Sequence, residues 1–576
     1  LKEFAEHIVS CMGAKVKKGG EGVKHLELEH RDGCKSKNVC INLNNFVTSI
    51  YKLGDRYKDL LEIAGYVFAA DRESYRGKDD DLEYHSWSRS FHIYIKVRDY
   101  NFWIKPEIQE LLEQTLCFMS GDHAYKFTFY KAEADYPTNI FDNEKFVIDT
   151  PDNLKVALFS GGVDSLAGII EMLETTNSEI CLVSHQTGQP IVIRTQQKLY
   201  ETFNSLYPSR CKHYKFQCGL SHTKSKDETQ RTRSFLYTST AFALAKTYKQ
   251  NCIYVYENGI TSLNFAETQD LMNGRTSRTT HPKTIGLLEK LFSKIAEEPF
   301  KINNPYLFKT KTDVVEIIKK YNKQGLFDSS VSCNTTRKSK EGLTHCGICS
   351  QCIDRRFAVY AANVENYDSN GFYLFDFLQD DLEEDEIKKS LTEYIRLAQE
   401  FAKHDIDSFY INRGDEIIEI EEYIDGATEL ERIEKLHDLC QRHSRQIENS
   451  ITRMRDIYDP PLGKHKPKSF FTLIIEPRIY QKTEKDCLDE SNREPFEEKI
   501  SNKEIEHKGL RSFKRGELKK ELENYITELN LEKYDTVPSK KIGWITRQLI
   551  KKGYDAKEAS VAATLRKMDY SFSYDP

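Results

Sequence analysis

Two short stretches of this 576-residue chain carry residue types and spacings that can do chemistry. The first is Ser160, Gly161, Gly162, Val163, Asp164 and Ser165, which follow the apolar run 156–159 and precede the helical pattern 166–173. A strand that feeds a helix through two glycines leaves backbone N–H groups converging on one point, with the positive end of the helix dipole behind them. That point suits a phosphate. Ser160 and Ser165 add hydroxyl donors, the glycines admit a close approach, and Asp164 can cap the helix or reach a magnesium ion. The turn lacks the Gly-x-x-x-x-Gly-Lys-Ser/Thr pattern, so it is not of the Walker type. The second stretch holds Cys333, Cys346, Cys349 and Cys352. Two thiolates of a Cys-x-x-Cys turn face the same ion, and four soft ligands suit tetrahedral zinc; an iron–sulfur cluster is the alternative for the same thiolates. Four protein ligands leave no open position, so a zinc here is structural, and its loop is expected to pin the chain against the rim of the site.

The elements that position these residues are legible in the apolar rhythm. Strands are predicted over 155–159, 180–184, 213–217 and 252–256, with helices between them reaching about residues 206 and 248. Short apolar runs separated by amphipathic helices write a parallel sheet with helical crossovers, whose ligands bind at the carboxyl ends of the strands. The middle third, 151–366, is therefore α/β. Residues 1–150 mix an alternating strand (Phe91, Ile93, Ile95, Val97) with a helix that Pro106 starts, and are expected to form an α+β domain of their own. Within them Asp71 and Arg72 read as a solvated ion pair, and 76–83 as an exposed loop. An acid-rich helix start at 380–389 opens a helical extension, 367–460. Then come a strand-like run at 470–475 and a charged segment, 461–576, with a helical and locally basic end.

Composition excludes collagen-like, mucin-like and wholly disordered chains, since 39% of residues are hydrophobic and 30% charged, with 15 prolines and 28 glycines. A net charge of −6 is too near neutral for a protein that wraps nucleic acid over its whole surface. The last 76 residues hold 16 Lys and Arg against 12 Asp and Glu, so Lys540, Lys541, Arg547, Lys551 and Lys552 form either a local nucleic-acid contact or a solvated helical face. No run approaches the roughly 20 apolar residues that span a bilayer, and residues 1–20 lack a leader pattern, so a cytoplasmic location and no membrane partner are expected. Clustering of four of the 14 cysteines argues for a metal, not a disulfide framework.

The string SGGVDS resembles the pyrophosphatase loop of the PP-loop ATP-dependent ligases. Followed in order by CNTTRKSKEGLTHCGICSQCIDRRF, it is similar to the 7-cyano-7-deazaguanine synthase (QueC) family, over residues 155–363. Between these anchors RTRSFLYTSTAFALA (231–245) resembles that family's Arg-Asn-x-x-Phe helix start, and YLFKTKTDVVEII (306–318) its Thr-Lys segment. The resemblance implies a Rossmann-like adenine-nucleotide domain that uses ATP, Mg2+ and Zn2+. It also implies a C–N ligase that activates the carboxylate of a 7-deazaguanine as an acyl adenylate for attack by ammonia, then converts the amide to a nitrile with a second ATP. Carried over, Ser160, Gly161, Gly162, Val163, Asp164 and Ser165 hold the departing pyrophosphate, while Arg231 and Lys311 neutralise charge on the phosphates. Glu257 and Asn258, after the strand 252–256, lie where a guanine-like base can hydrogen-bond, and Arg278 is placed to bind a carboxylate.

Three features depart from the biosynthetic enzymes: Thr232 stands for the usual Asn, the loop 260–282 differs, and long segments flank the core at both ends. The extended layout resembles the QueC-like proteins of bacterial anti-phage defence, the Qat type in particular, which implies a protein or nucleic-acid amine as acceptor in place of ammonia. Two other functions share parts of this pattern. A tRNA-thiolating PP-loop enzyme needs an accessible persulfide cysteine, whereas Cys181, Cys218 and Cys252 fall in or beside strands and read as core. A nucleotide-sensing, nucleic-acid-binding module without turnover is the other, and retention of Ser160, Asp164 and Ser165 counts against it.

Overall fold

The computed structural model describes residues 5–470 apart from 17–22, 31–35, 43–53, 77–87, 134–152, 187–188, 222–224, 227–230, 266–277, 335–342, 383–384, 427 and 459–468, and beyond them residues 522, 536–538 and 571–573. Contacts divide the chain into Leu1–Pro477 and Arg478–Pro576. In the second unit the strands Thr536–Pro538 and Ser571–Ser573 pair in parallel. The basic helical end, the strand-like run 471–475 and the tip of the loop 76–83 lie outside the described residues.

In the first unit β1 (Ala5–Cys11), β2 (Lys24–Leu28), β3 (Val39–Asn42), α1 (Asp55–Glu73), β4 (Arg89–Val97), α2 (Tyr100–Trp103), α3 (Pro106–Ser120) and β5 (Ala124–Lys131) form the front. Its sheet has the order β2-β1-β4-β5 and is parallel throughout, which replaces the expected α+β arrangement with an α/β one. The alternation of Phe91, Ile93, Ile95 and Val97 fixes which face of β4 is buried but carries no information about the direction of its neighbours. α3 buries Ile108, Leu112, Thr115, Leu116 and Met119.

The second sheet contains β6 (Leu154–Leu158), β7 (Glu179–His185), β8 (Cys211–Leu220), β9 (Cys252–Tyr254) and β10 (Lys301–Asn303) in the order β10-β9-β6-β7-β8-β3. All pairings are parallel except the edge, where β3 joins from the front antiparallel to β8. Helices α4 (Val163–Thr175), α5 (Pro190–Leu206), α6 (Arg233–Thr247), α7 (Gly259–Leu263), α8 (Pro282–Ala296) and α9 (Lys311–Lys320) accompany the strands. They are followed by α10 (Ser350–Ala361) and the extension α11 (Asp385–Lys403), α12 (Ile406–Ile420) and α13 (Glu429–Tyr458). Val156, Cys181 and Val183 enter a core shared with Phe242 and with Phe68 and Phe91 of the front. Their neighbours Ala157, Ile180 and Leu182 enter the opposite core with Leu166, Val314 and Phe357. Coverage of both faces is why these strands read as continuous apolar runs. From β6 the chain moves to β7 on one side, and β9 pairs on the other, so a crevice opens at the carboxyl ends of β6 and β9.

A buried ion network ties the front to the segment before α6. Asp71, expected in solvent, is 1% exposed and accepts from Arg89 Nη2 at 2.5 Å and Arg76 Nη2 at 3.2 Å. Both arginines also bind Asp122, at 2.9 and 3.0 Å. Thr232 donates its N–H and Oγ1 to Asp71 Oδ2 at 3.1 and 2.9 Å. The partners come from distant segments, so nearest-neighbour reading paired Asp71 with Arg72 instead. Removing one member strands buried charge, at a cost of about 3–5 kcal/mol. Among the described residues no helix is long and apolar enough to cross a membrane.

Candidate active site

The phosphate-type turn lies between β6 and α4, at the crevice. Gly161 has φ +87°, and a Cβ there would lie 2.9 Å from Thr195 Cγ2, so the backbone itself requires glycine. Gly162 is different: its φ of −80° is ordinary, and an added Cβ would meet atoms no nearer than 3.5 Å. The protein's own packing does not demand glycine at 162. The turn's N–H groups, expected to converge on a phosphate, are held by three serine hydroxyls. Gly161 N–H donates to Ser165 Oγ at 3.2 Å, Gly162 N–H to Ser160 Oγ at 3.3 Å and Val163 N–H to Ser332 Oγ at 3.2 Å. These are long neutral bonds, which charged phosphate oxygens would replace with shorter, charge-assisted ones.

Beside the turn sits a lysine among carboxylates. Asp164, in the first turn of α4, accepts from Lys311 Nζ at 2.5 Å through Oδ2, and Asp354 Oδ2 stands 3.9 Å from the same nitrogen. Lys311 is 2% exposed. Burial alone would depress its ammonium, but Asp164, Asp354 and Glu257 outweigh burial and raise it. Asp164 Oδ1 is buried and receives no N–H or hydroxyl, and the carboxyl of Glu257 lies within hydrogen-bonding reach of that side chain. Burial first, then Asp164, push the Glu257 carboxyl up to about 8. The folded chain therefore keeps a proton on Glu257 between about 4.5 and about 8, where the unfolded chain has lost it, and stability falls as pH rises through that window. In magnesium-free buffer the melting temperature of the wild type minus that of Glu257→Gln is expected to decrease across the window. A difference that rises with pH would contradict this placement.

The four cysteines meet as their spacing predicts. Their sulfurs all lie within 4.8 Å of one another, with Cys346 and Cys352 3.9 Å apart and Cys333 and Cys349 4.0 Å apart. Tetrahedral zinc with Zn–S bonds of about 2.3 Å places sulfurs about 3.8 Å apart, so the donor set fits the ion in both chemistry and size. Backbone N–H groups of Cys346 and Cys349 donate to Cys333 Sγ and Cys346 Sγ at 3.4 Å. His345 is no ligand: its ring stacks on Tyr373, and its nitrogens face Ser332 N–H and Thr344 Oγ1. The loop also reaches the phosphate turn, since Val331 N–H donates to Gly161 O at 3.0 Å and Ser332 is the residue holding Val163. The expected pinning of this chain against the site is thereby visible bond by bond.

Residues 219–363 match the family model of the queuosine biosynthesis protein QueC. This QueC-like segment includes Arg231, Glu257, Lys311, Asp354 and the four cysteines, whereas the turn at 160–165 precedes it. A search of curated proteins finds no match.

Within the QueC-like segment the two expected phosphate cations stand in different surroundings. Arg231 is buried among Arg76, Asp122, Asp71 and Arg278, and its Nη1 donates to Ser120 O at 3.4 Å. Burial and its arginine neighbours push it down to about 9, so it stays charged at neutral pH. Its neighbours belong to the ion network of the front; those of Lys311 belong to the crevice. Asn258 is fully buried and caps α7, accepting from Thr261 N–H at 3.1 Å, so its side-chain oxygen is already engaged. Arg278 lies over the Phe118 ring at 4.7 Å and lines a shallow cavity with His281, Glu416 and Glu419. Cys181 is buried, its thiol pushed up to about 12 by burial, which unsuits it to carry a persulfide. The sequence reading missed Ser332 and Asp354. Ser332 directly precedes the first cysteine, which was an available signal; Asp354 follows the last cysteine by two positions, and only the packing of α10 against α9 aims it at Lys311.

Proposed function

We propose that this protein is an ATP-dependent C–N ligase of the QueC type, which transfers AMP to the carboxylate of a 7-deazaguanine and then passes the activated acyl group to an amine. The observation that carries this reading is Lys311, buried and bound to Asp164 at the switch point of a parallel sheet, beside a glycine turn whose N–H groups are held by serine hydroxyls that a phosphate could replace. In the first step a carboxylate oxygen attacks the α-phosphorus, the bond from that phosphorus to the bridging oxygen breaks, and pyrophosphate leaves. The N–H groups of Gly161, Gly162 and Val163, with Ser160 and Ser165, bind the leaving group. The Lys311 ammonium offsets charge that grows on the α-phosphate, a preorganised electrostatic contribution of the kind that dominates such transfers. In the second step the amine nitrogen attacks the acyl carbon, AMP departs, and the amine gives up a proton. That proton passes to solvent, because Glu257, with its carboxyl near 8, keeps its own at neutral pH.

Magnesium would enter with the nucleotide, and Asp164, at the start of α4, is the residue that would reach it; among the described residues Asp164, Glu257 and Asp354 do not by themselves gather into a cation site, and Lys311 holds Asp164 Oδ2. When bound, the ion supplies charge neutralisation for the pyrophosphate. Zinc on the four cysteines is structural. The front and the helical extension favour a macromolecular amine of the anti-phage kind over ammonia as acceptor, because the extended layout resembles those systems.

Incubation with α-labelled ATP and 7-carboxy-7-deazaguanine is expected to give AMP and pyrophosphate in amounts that depend on the acid. ADP with phosphate, or hydrolysis indifferent to the acid, would count against the reading.

A further inference from the structure

The elements that carry the crevice cluster are held from behind by the helical extension. α9 begins at Lys311, and its N-cap Thr310 forms a capping box with Asp313: Asp313 N–H donates to Thr310 Oγ1 at 3.1 Å and Thr310 N–H to Asp313 Oδ2 at 2.9 Å. α13 grips both halves of that box. Gln446 Nε2 donates to Asp313 Oδ1 at 2.7 Å, Thr310 Oγ1 donates to Gln446 Oε1 at 2.5 Å, and Arg442 binds Asp313 and, at 2.7 Å, Phe308 O. From α11, Tyr394 donates its hydroxyl to Asp354 Oδ1 at 2.7 Å, on the carboxylate whose other oxygen faces Lys311. Leu439 of α13 also packs against Gly259, two residues beyond Glu257; a Cβ added there would stand 2.6 Å from its Cδ2.

We propose that the extension is a positioning device for Lys311: α13, through Gln446 and Arg442, fixes the first turn of α9, and α11, through Tyr394, fixes Asp354 opposite the ammonium. This rests on the reading of Lys311 as the cation of the site. The extension thus makes the site's geometry depend on a part of the chain outside the QueC-like segment. Lys311 faces Asp164 on α4, Glu257 after β9 and Asp354 on α10. Asp354 faces Lys311, Asp164 and Tyr394, and the Tyr394 ring meets His443 edge-on at 5.7 Å. Losing the Tyr394 hydroxyl removes the hydrogen bond that holds Asp354 Oδ1, and frees that carboxylate to turn away from Lys311.

The test is reductive methylation of the full chain, read lysine by lysine by mass spectrometry, in wild type, Gln446→Ala and Tyr394→Phe. Lys246 on α6, which is bound to Glu298, serves as the reference. In both variants Lys311 is expected to label about tenfold faster relative to Lys246, the change that a local opening easier by about 1.4 kcal/mol gives. AMP formation is expected to lose kcat about tenfold with the KM for ATP little changed, the pattern of a lost transition-state contribution. Equal acceleration at both lysines, or none at Lys311, overturns the proposal. Gln446→Ala alone decides the labelling ratio should Tyr394→Phe fail to fold. The underlying reading fails separately, if Lys311→Ala retains full AMP formation while the labelling ratio still responds to the extension.

Discussion

Asp164→Asn is expected to lower AMP formation by about 10³-fold or more while leaving the chain folded, the size of effect that follows loss of a preorganised charge in a water-excluded site. Asp164 joins the glycine turn to the Lys311 ammonium, and the Glu257 carboxyl lies within hydrogen-bonding reach of the same side chain. The amide keeps the shape and the helix position but cannot hold a cation with either oxygen as the carboxylate does. The fold survives because Lys311 still faces Asp354 and Glu257, so no unpaired charge is left in the interior. With one carboxylate gone, the Glu257 carboxyl is released downward from about 8, a second signature visible in the pH dependence of stability. The checks are a single-turnover assay for AMP and a thermal melt. Unchanged turnover, or collapse of the fold, contradicts the assignment.

Gly347→Ala is expected to remove the metal. Gly347 sits inside the Cys346–Cys349 turn with φ +83°, and a Cβ there would lie 1.8 Å from the Phe375 carbonyl oxygen and 2.9 Å from its carbon. Backbone on both sides cannot yield as a flexible side chain would, so the turn that aligns two of the four thiolates opens. Elemental analysis should find one zinc per chain in the wild type and little in Gly347→Ala or Cys349→Ser. Because the same loop supplies Ser332 and Val331 to the phosphate turn, AMP formation falls too, by about 10–100-fold, as for loss of an orienting shell. Gly325→Ala is the control, since a Cβ there meets nothing within 4 Å. Iron with visible absorbance, or a full zinc complement in Gly347→Ala, contradicts the structural-zinc reading.

What was legible in the sequence was what depends on neighbours along the chain. The runs over 155–159 and 180–184 became β6 and β7 because strands buried on both faces must be apolar at consecutive positions. The cysteine spacing became a four-sulfur cluster because a Cys-x-x-Cys turn converges by local geometry. The residues that escaped are those whose meaning comes from partners far along the chain. Asp71 read as solvated because Arg89 and Asp122 arrive from other segments, and nothing local marks that Arg231 lies beside the same network. β3, only Val39–Asn42, carries no signal that it leaves the front to pair with β8. Asn258 shows a subtler limit: its position at a strand's carboxyl edge was evident, but a helix cap had the first claim on its oxygen.

The central claim is that a carboxylate attacks the α-phosphorus of ATP at this turn. It is tested most directly with 7-carboxy-7-deazaguanine bearing ¹⁸O in its carboxyl group, ATP and an amine, followed by mass spectrometry of the nucleotide. One ¹⁸O transferred into AMP is the expected result. Unlabelled AMP, or ADP with phosphate as the products, would contradict it.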